Sequence, residues 1–210
     1  MIETRFDKID NIESWTWIKS DHGAYDGPKM DWNNAHRIMI DKHVHEKRTV
    51  IQAGGNQGMY PRLLADIFEF VVTFEPDPLN FHCLVENCKA QPNVLMMPYG
   101  LGAEEGTRFL QRQTMENTGM HTVVDHQTDI PVLIKTLDGL NLSDEFEVDY
   151  LMLDVEGYEY NVLVGAMHLI EKHRPVIQVE RDNNQIADLI SRFGYQRVDQ
   201  SAMDTIYKIV

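Results

Sequence analysis

The hydrophobic and polar positions of this chain change their pattern near residue 48. Beyond it, short apolar runs alternate with segments whose apolar residues recur at helical spacing, and these patterns predict strands and helices. The predicted strands cover residues 49–53, 70–74, 94–97, 132–135, 148–153, 175–179, 196–198 and 205–209. The predicted helices cover residues 33–44, 60–68, 79–89, 159–172 and 184–193. This α/β order is typical of a mostly parallel sheet flanked by helices, and the last two strands predict an antiparallel pair.

Two segments depart from the alternation. Residues 1–47 place Trp15, Trp17 and Trp32 among glycines and acids, and we expect this aromatic segment to pack on the domain as an N-terminal extension or lid. Residues 102–131 are polar and contain glycines, and they predict an irregular stretch without strands or helices. Residues 48–210 are therefore expected to form one domain.

Composition and charge narrow the classes of partner. The 210 residues suit a single domain, and 43% hydrophobic with 25% charged residues is ordinary globular usage. The formal charge of −14 repels phosphate backbones and anionic membranes, so we expect neither a nucleic-acid nor a membrane partner. Nothing in the chain indicates an oligomeric state. With no signal peptide and no apolar run long enough to span a bilayer, we expect a cytoplasmic protein in which Cys83 and Cys88 are buried, reduced thiols.

The first chemical motif spans residues 50–58, Val-Ile-Gln-Ala-Gly-Gly-Asn-Gln-Gly. A strand that stops at glycines and turns into a helix lets the backbone approach a ligand closely, and the helix start offers free N–H groups. Gly54 and Gly58 have the spacing of a methyltransferase cofactor loop. Ala53, Gly55 and Gly58 also fit a loosened dinucleotide fingerprint, so this motif alone leaves a nicotinamide-dependent oxidoreductase open.

The second motif, Phe74-Glu75-Pro76-Asp77-Pro78, follows the second predicted strand of the domain. An acid at this position can accept hydrogen bonds from both hydroxyls of a ribose. Methyltransferases and dehydrogenases share such an acid, but the Glu-Pro-x-Pro turn is more specific than the acid alone. Pro76 and Pro78 therefore argue against the oxidoreductase. We expect Glu75 on a surface-facing turn, where it either holds a ribose or is a solvated turn residue.

The third motif spans residues 151–159, Leu-Met-Leu-Asp-Val-Glu-Gly-Tyr-Glu, and sends Asp154 and Glu156 out of the carboxyl end of a strand. Asp154 can act as a base toward a substrate hydroxyl or can cap the following helix. His121, in the irregular stretch, is a second candidate base, with a structural hydrogen bond as the alternative. No residue pattern indicates a metal site.

Taken in this order, the three motifs resemble those of the FkbM family of methyltransferases. Members typically show Val-x-x-Gly-Ala-Asn-x-Gly, then Phe-Glu-Pro-x-Pro, then Leu-Lys-x-Asp-x-Glu-Gly-x-Glu. The resemblance covers residues 48–180 and leaves the first forty-odd residues outside it. Further matches are Asn87, Thr136-Leu137-Asp138, Leu163, Gly165-Ala166 and residues 175–180.

The resemblance implies a Rossmann-like class I methyltransferase fold over residues 48–210, with S-adenosylmethionine as cofactor. It implies methyl transfer to a hydroxyl of a sugar, a polyketide or a similar small molecule. By position, Gly54, Asn56 and Gly58 would face the methionine part of the cofactor and Glu75 would hold the ribose. The remaining residues predicted to bind the cofactor are Gln52, Tyr60, Pro76, Asp77 and, beside the adenine, Tyr99, Gly100 and Leu101.

Two residues depart from the family pattern in a way that bears on chemistry. Gln52 stands where many members have an acid, so it cannot pair as a charge with the cofactor ammonium. Met152 replaces the usual lysine, which could orient or activate a substrate. Because of these two departures, the alternative is a non-catalytic protein that binds the cofactor without transferring its methyl group.

Overall fold

Residues 9–12, 15–21, 32–201 and 204–210 are described by a computed structural model, with side chains for 15–21, 35–201 and 204–210. The strands, in chain order, are β1 (Ile9–Ile12), β2 (Trp15–Ile18), β3 (Thr49–Ala53), β4 (Phe70–Phe74), β5 (Val94–Met97), β6 (Gly100–Leu101), β7 (Gly106–Gln111), β8 (Thr122–Val124), β9 (Pro131–Lys135), β10 (Val148–Leu153), β11 (Val176–Val179), β12 (Tyr195–Gln200) and β13 (Thr205–Ile209). The α-helices are α1 (Trp32–His43), α2 (Met59–Ala65), α3 (Pro78–Cys88), α4 (Leu142–Glu145), α5 (Glu159–Val164), α6 (Met167–His173) and α7 (Asn184–Ser191). Short 3-10 turns cover Thr118–Met120 and Asp138–Leu140.

In the described residues, a seven-stranded sheet has the order β12-β13-β11-β10-β3-β4-β5. Strands β11, β10, β3, β4 and β5 are parallel, while β13 runs antiparallel to both β11 and β12. The predicted α/β fold with a C-terminal antiparallel pair is confirmed.

Helices cover both faces of this sheet, which explains the nearly continuous apolar runs of its strands. On one face, Val50 and Tyr150 pack with Ile40 of α1 and Leu64 of α2. On the other face, the core joins the alternate strand residues to α5, α6 and α7; its members include Ile51, Val72, Leu151, Leu163, Leu169 and Ile186. The sheet core therefore holds the strand ends rigidly in place.

The expectation of an irregular stretch over residues 102–131 is wrong. Strands β6, β9, β7 and β8 form a second, four-stranded sheet in that order, and β7 and β8 lie within this stretch. Strand β7 has one buried residue, Leu110, among half-buried and exposed ones, so its sequence lacks the apolar run that marks the central strands. The predicted strand at 132–135 exists as β9, but it belongs to this second sheet.

The N-terminal segment contains a hairpin that the sequence pattern did not predict. Strands β1 and β2 pair antiparallel, and Trp17 and Ile18 are buried. Ile18 packs against Leu79 and Cys83 of α3, so this part of the segment does pack on the domain. The proposed boundary at residue 47 stays a prediction.

The single helix predicted over residues 159–172 is divided into α5 and α6. A Cβ at Gly165 would lie 2.0 Å from the backbone oxygen of Gly102, so the chain breaks where it meets the second sheet. The side chain of Asp138 accepts hydrogen bonds from the backbone N–H groups of His168 and Leu169, at 2.9 and 3.0 Å. These bonds satisfy N–H groups in the first turn of α6. The break is a tertiary effect.

The cysteines are free and buried, as expected, and burial raises the pKa of both Cys83 and Cys88 to about 12. In the part of the chain that the structure describes, no helix has the length and apolar character needed to cross a membrane.

Candidate active site

The central strands end level with one another, and this aligns the chemical motifs along one edge. Ala53 is paired with Phe74 and Leu153, and Leu153 is paired with Val179. The residues that follow these four are, in spatial order, Glu180, Asp154, Gly54 and Glu75. This is the carboxyl edge, where open α/β sheets bind ligands.

Gly54 ties the first motif to the third. Its φ of +90° lies in the left-handed region, and a Cβ there would be 1.7 Å from the backbone oxygen of Asp154. Only glycine permits this approach. The backbone N–H of Asp154 in turn donates to the oxygen of Ala53 at 3.0 Å. These contacts join residues 54–58, which we call the glycine loop, to the acidic turn at residues 154–159.

Glu75 is buried, with 6% of its surface exposed, and the expectation of a surface-facing turn is wrong. Its carboxylate accepts the backbone N–H of Asn56 at 2.7 Å and that of Asp77 at 2.8 Å. The pKa of Glu75 is raised to about 8, chiefly by burial and also by the charge of Asp77, while the two backbone hydrogen bonds oppose the rise. Those bonds hold the carboxylate between residues 54–58 and the turn at residues 76–78.

The glycine loop has two left-handed positions besides Gly54. Asn56 has φ +44° and Gly58 has φ +94°, the latter at the start of α2. A Cβ at Gly58 would lie 3.2 Å from the Cys88 sulfur, so the loop packs tightly on α3. Under the loop, Gln52 is wholly buried and donates to the oxygen of Gly54 at 2.7 Å, so it supports the loop with an uncharged group.

The carboxylate of Asp77, at the start of α3, accepts hydrogen bonds from several parts of the chain. One carboxylate oxygen accepts the backbone N–H of Leu79 at 2.8 Å, and the guanidinium of Arg112 donates to both oxygens at 2.7 Å. His121 Nδ1 lies 3.0 Å from the same carboxylate. Despite burial, the bonds from His121 and Arg112 hold the pKa of Asp77 well below its usual range.

The geometry of His121 argues against the predicted role as a base. Its side chain is 4% exposed, and its Nε2 lies 3.1 Å from the backbone oxygen of Thr114. Both ring nitrogens thus lie within hydrogen-bond distance of acceptor oxygens inside the protein. His121 fastens the segment before β8 to Asp77, which is the structural alternative considered from sequence.

Three carboxylates meet at the ends of β10 and β11. Oxygens of Asp154, Glu156 and Glu180 all lie within 4.8 Å of one another, and we call these residues the acidic trio. Burial, followed by the charge of Glu180, raises the pKa of Asp154 well above its usual range, and burial raises that of Glu156 to about 7. Arg181 forms a salt bridge with Glu156. Asp154 and Glu156 can therefore hold protons at neutral pH, and carboxylate oxygens are also the donors that hard divalent cations prefer.

Glu159 sets the shape of the turn that carries the acidic trio. It is 1% exposed, and its carboxylate accepts the backbone N–H groups of Val155 and Gly157 at 3.3 and 3.1 Å. Between them, Glu156 adopts φ +56°, a conformation that costs a non-glycine residue free energy. Glu159 therefore holds Glu156 in place.

The remaining residues predicted for the cofactor flank this edge. Gly100 lies against Pro76, since a Cβ there would be 3.6 Å from the proline ring. Leu101 directs its side chain into the core, against which Tyr99 also packs. Tyr60, in the first turn of α2, is half-buried, and burial with the charges of Asp154, Asp204 and Glu180 raises its pKa.

Four residues of this site were not predicted from the sequence as functional residues. Glu180 follows β11 just as Asp154 follows β10, and that parallel was the available signal. Arg112 lies in the stretch taken as irregular. Asp21 and Gln57 form a buried hydrogen bond of 2.9 Å across the N-terminal segment, for which the sequence carries no local pattern.

Residues 52–197 match the sequence profile of the Methyltransferase FkbM domain. Among solved structures, the chain is similar to a methyltransferase FkbM from Methylobacillus flagellatus KT, with a TM-score of 0.52 and 16% identity over 78% of this chain and 44% of that one. It is also similar to a Streptococcus pneumoniae protein provisionally described as a tRNA methyltransferase, with a TM-score of 0.51 and 9% identity over 83% of this chain and 69% of that one. No curated protein sequence matches the chain significantly. Such low identities show the fold alone, and the chain spans less than half of the Methylobacillus protein.

Proposed function

Because the chain belongs to the FkbM methyltransferase family and has the class I methyltransferase fold, we propose that it transfers the methyl group of S-adenosylmethionine to a hydroxyl of a small molecule or sugar. One observation carries the proposal. The glycine loop, the buried Glu75 and the acidic trio lie side by side on neighbouring strands at the carboxyl edge of the sheet. This order gives a cofactor site next to a proton-accepting site.

The cofactor would lie across the ends of β3, β4 and β5. Gly54, Asn56 and Gly58 would face its methionine part, Glu75 would accept hydrogen bonds from the ribose hydroxyls, and Gly100 would border the adenine. When bound, the cofactor supplies a methyl group on a sulfonium sulfur that is already a good leaving group. Gln52 is uncharged, so it would offer the ammonium of the methionine part a hydrogen-bonding group and no charge.

The chain's own task is to align a hydroxyl and to accept its proton. The acidic trio follows directly from β10 and β11, beside the loop that would hold the methionine part. As the oxygen–methyl bond forms, the hydroxyl proton passes to an ionised carboxylate of the trio. The backbone of Asp154 contacts Gly54, and Glu156, with a pKa of about 7, is partly ionised at neutral pH.

The charge of the chain favours an uncharged acceptor. A net charge of −14 and an acidic trio at the site disfavour the phosphates of RNA. We therefore assign a small-molecule or carbohydrate hydroxyl as the acceptor. The tRNA methyltransferase among the similar structures supports the fold and not the substrate.

Labelled S-adenosylmethionine tests the proposal against a panel of sugars, polyketides and RNA. We expect an O-methylated small molecule, and Asp154→Asn should lower turnover by about a hundredfold with little change in cofactor affinity. Asp149→Asn is the matched control, since Asp149 lies near the other end of β10 in a salt bridge with Arg48. Methylated RNA nitrogen as the main product would contradict the proposal. Cofactor binding without any product would instead identify a non-catalytic protein.

A further inference from the structure

The N-terminal segment reaches the cofactor loop through one side chain. Gln57 lies between Asn56 and Gly58, and it is 1% exposed. Its Oε1 accepts the backbone N–H of Ile18 at 2.8 Å, and its Nε2 donates to Asp21 at 2.9 Å. Both ends of this amide are thus held by residues that lie before the family-matched region, which begins at residue 52.

Asp21 joins three separate parts of the chain. It is 2% exposed, and the same oxygen, Oδ2, accepts from Gln57 Nε2, from the backbone N–H of Thr118 at 3.0 Å and from the Thr118 hydroxyl. Three donors converge on this one buried oxygen, and without it the backbone N–H of Thr118 would lose its acceptor at a cost in free energy. Gln57 Nε2 would keep only its bond to the Thr118 hydroxyl, at 3.0 Å. A carboxylate accepts all three bonds without presenting a donor of its own.

Asn87 of α3 fixes the same junction from the other side. Its side chain accepts from the backbone N–H of Thr16 at 2.7 Å and donates to the backbone oxygen of Thr16 at 2.9 Å. It also donates to the backbone oxygen of Gln57 at 2.6 Å. Both the backbone and the side chain of Gln57 are therefore tied to strand β2 and its turn.

The two neighbours of Gln57 are the residues whose conformation matters most for a ligand. Asn56 and Gly58 have positive φ angles, and the Asn56 N–H donates to Glu75. Left-handed backbone at a non-glycine residue persists where the surroundings over-determine it. A displaced Gln57 would release Asn56 and, with it, one of the bonds that position the Glu75 carboxylate.

We propose that Asp21 is a positioning residue for cofactor binding, which acts by holding Gln57 and hence the glycine loop. The N-terminal segment is then part of the cofactor site and not a separate flank. The inference rests on the proposed function, because it requires the cofactor to bind at the glycine loop. By linkage, a ligand that binds the ordered loop must also stabilise residues 15–21 and 117–121.

Calorimetric titration with S-adenosylhomocysteine tests the inference on the full chain. We expect Asp21→Ala to weaken binding by about tenfold or more, the scale of one charged hydrogen bond. Asp21→Asn should recover most of the affinity, because its amide oxygen can take the place of Oδ2. The matched control is Asp199→Ala, which removes another carboxylate that ties α1 to the domain, through Lys42 at 2.8 Å and His43 at 2.7 Å. It should leave the affinity unchanged.

Amide hydrogen exchange of the unmodified chain gives a second readout that does not depend on a variant's folding. Added S-adenosylhomocysteine should slow exchange in residues 15–21 and 117–121, and the protection of 15–21 should vanish in Asp21→Ala. The inference alone would be overturned if a folded Asp21→Ala chain bound S-adenosylhomocysteine as tightly as the unmodified chain. It would also be overturned if binding left the exchange of residues 15–21 in the unmodified chain unchanged. An unmodified chain that binds no S-adenosylhomocysteine would overturn the proposed function as well.

Discussion

Met152 lies directly opposite Gln52 across strands β10 and β3, and both side chains are buried. These are the two positions at which the chain departs from the family pattern, where a lysine and an acid are usual. At this spacing the usual residues can form a buried ion pair, and a change at one position alone would leave the other charge unpaired. In this chain both side chains are uncharged, so neither position leaves a buried charge unpaired.

The pairing of these two positions predicts non-additive stability. Met152→Lys alone should lower the free energy of unfolding by roughly 3–5 kcal/mol, because it buries an unpaired charge. The double variant Gln52→Glu, Met152→Lys should recover about 1–3 kcal/mol of the summed losses. Urea unfolding of the two single variants and the double variant measures this coupling. Losses that simply add would show that the two positions are independent.

The contact between Gly54 and Asp154 predicts unequal effects of two glycine substitutions. Gly54→Ala should cost more than about 3 kcal/mol, because a left-handed backbone and a 1.7 Å clash with the Asp154 oxygen both oppose it. Gly157→Ala, at φ +96° with open space around it, is the control and should cost only about 1–2 kcal/mol. Urea midpoints separate the two cases, and equal losses would remove the close approach as the reason for glycine at 54.

The raised pKa of Glu75 predicts that cofactor affinity depends on pH. The carboxyl group is protonated in the free chain below about pH 8, whereas ribose hydroxyls bond best to the ionised form. The affinity for S-adenosylhomocysteine should therefore rise from about pH 6 to about pH 8, by up to about tenfold per unit. Glu75→Gln should bind more weakly than the unmodified chain at pH 8 and show a flatter profile. A profile that is the same in both chains would assign the dependence to another group.

Glu75 also affects the stability of the free chain, with the opposite sign. A carboxyl whose pKa is higher in the folded state than in the unfolded one stabilises the fold below its unfolded pKa of 4.5. That stabilisation is lost as the pH rises through about 8. The urea midpoint of the unmodified chain should therefore fall between about pH 5 and pH 8 relative to that of Glu75→Gln. A constant difference between the two midpoints would contradict the raised pKa.

The central sheet could be predicted from the sequence because its strands are covered on both faces. Strands such as β3 and β10 are buried along their length and appear as continuous apolar runs, so the residues that follow them were placed correctly at one edge. In the antiparallel pair, β13 has the same character, with the buried Ile206 and Tyr207, whereas β12 is exposed along most of its length.

What the sequence did not predict depends on contacts between distant residues. The division of the helix after Val164 follows from the approach of Gly165 to Gly102, and the burial of Glu75 follows from the turn of the glycine loop. Strand β8 is half-buried throughout, and β7 mixes exposed, half-buried and buried positions without alternation, so neither strand carries a clear period. The second sheet and the role of Asp21 appear only once the chain is folded.

The central claim is that the edge formed by Gly54, Asn56, Gly58 and Glu75 binds S-adenosylmethionine. Parallel calorimetric titrations of the full chain with S-adenosylhomocysteine and with NADH test it most directly. The account predicts saturable binding of S-adenosylhomocysteine that Glu75→Ala weakens by roughly 1–3 kcal/mol, and no binding of NADH. Tight binding of NADH, with none of S-adenosylhomocysteine, would contradict it.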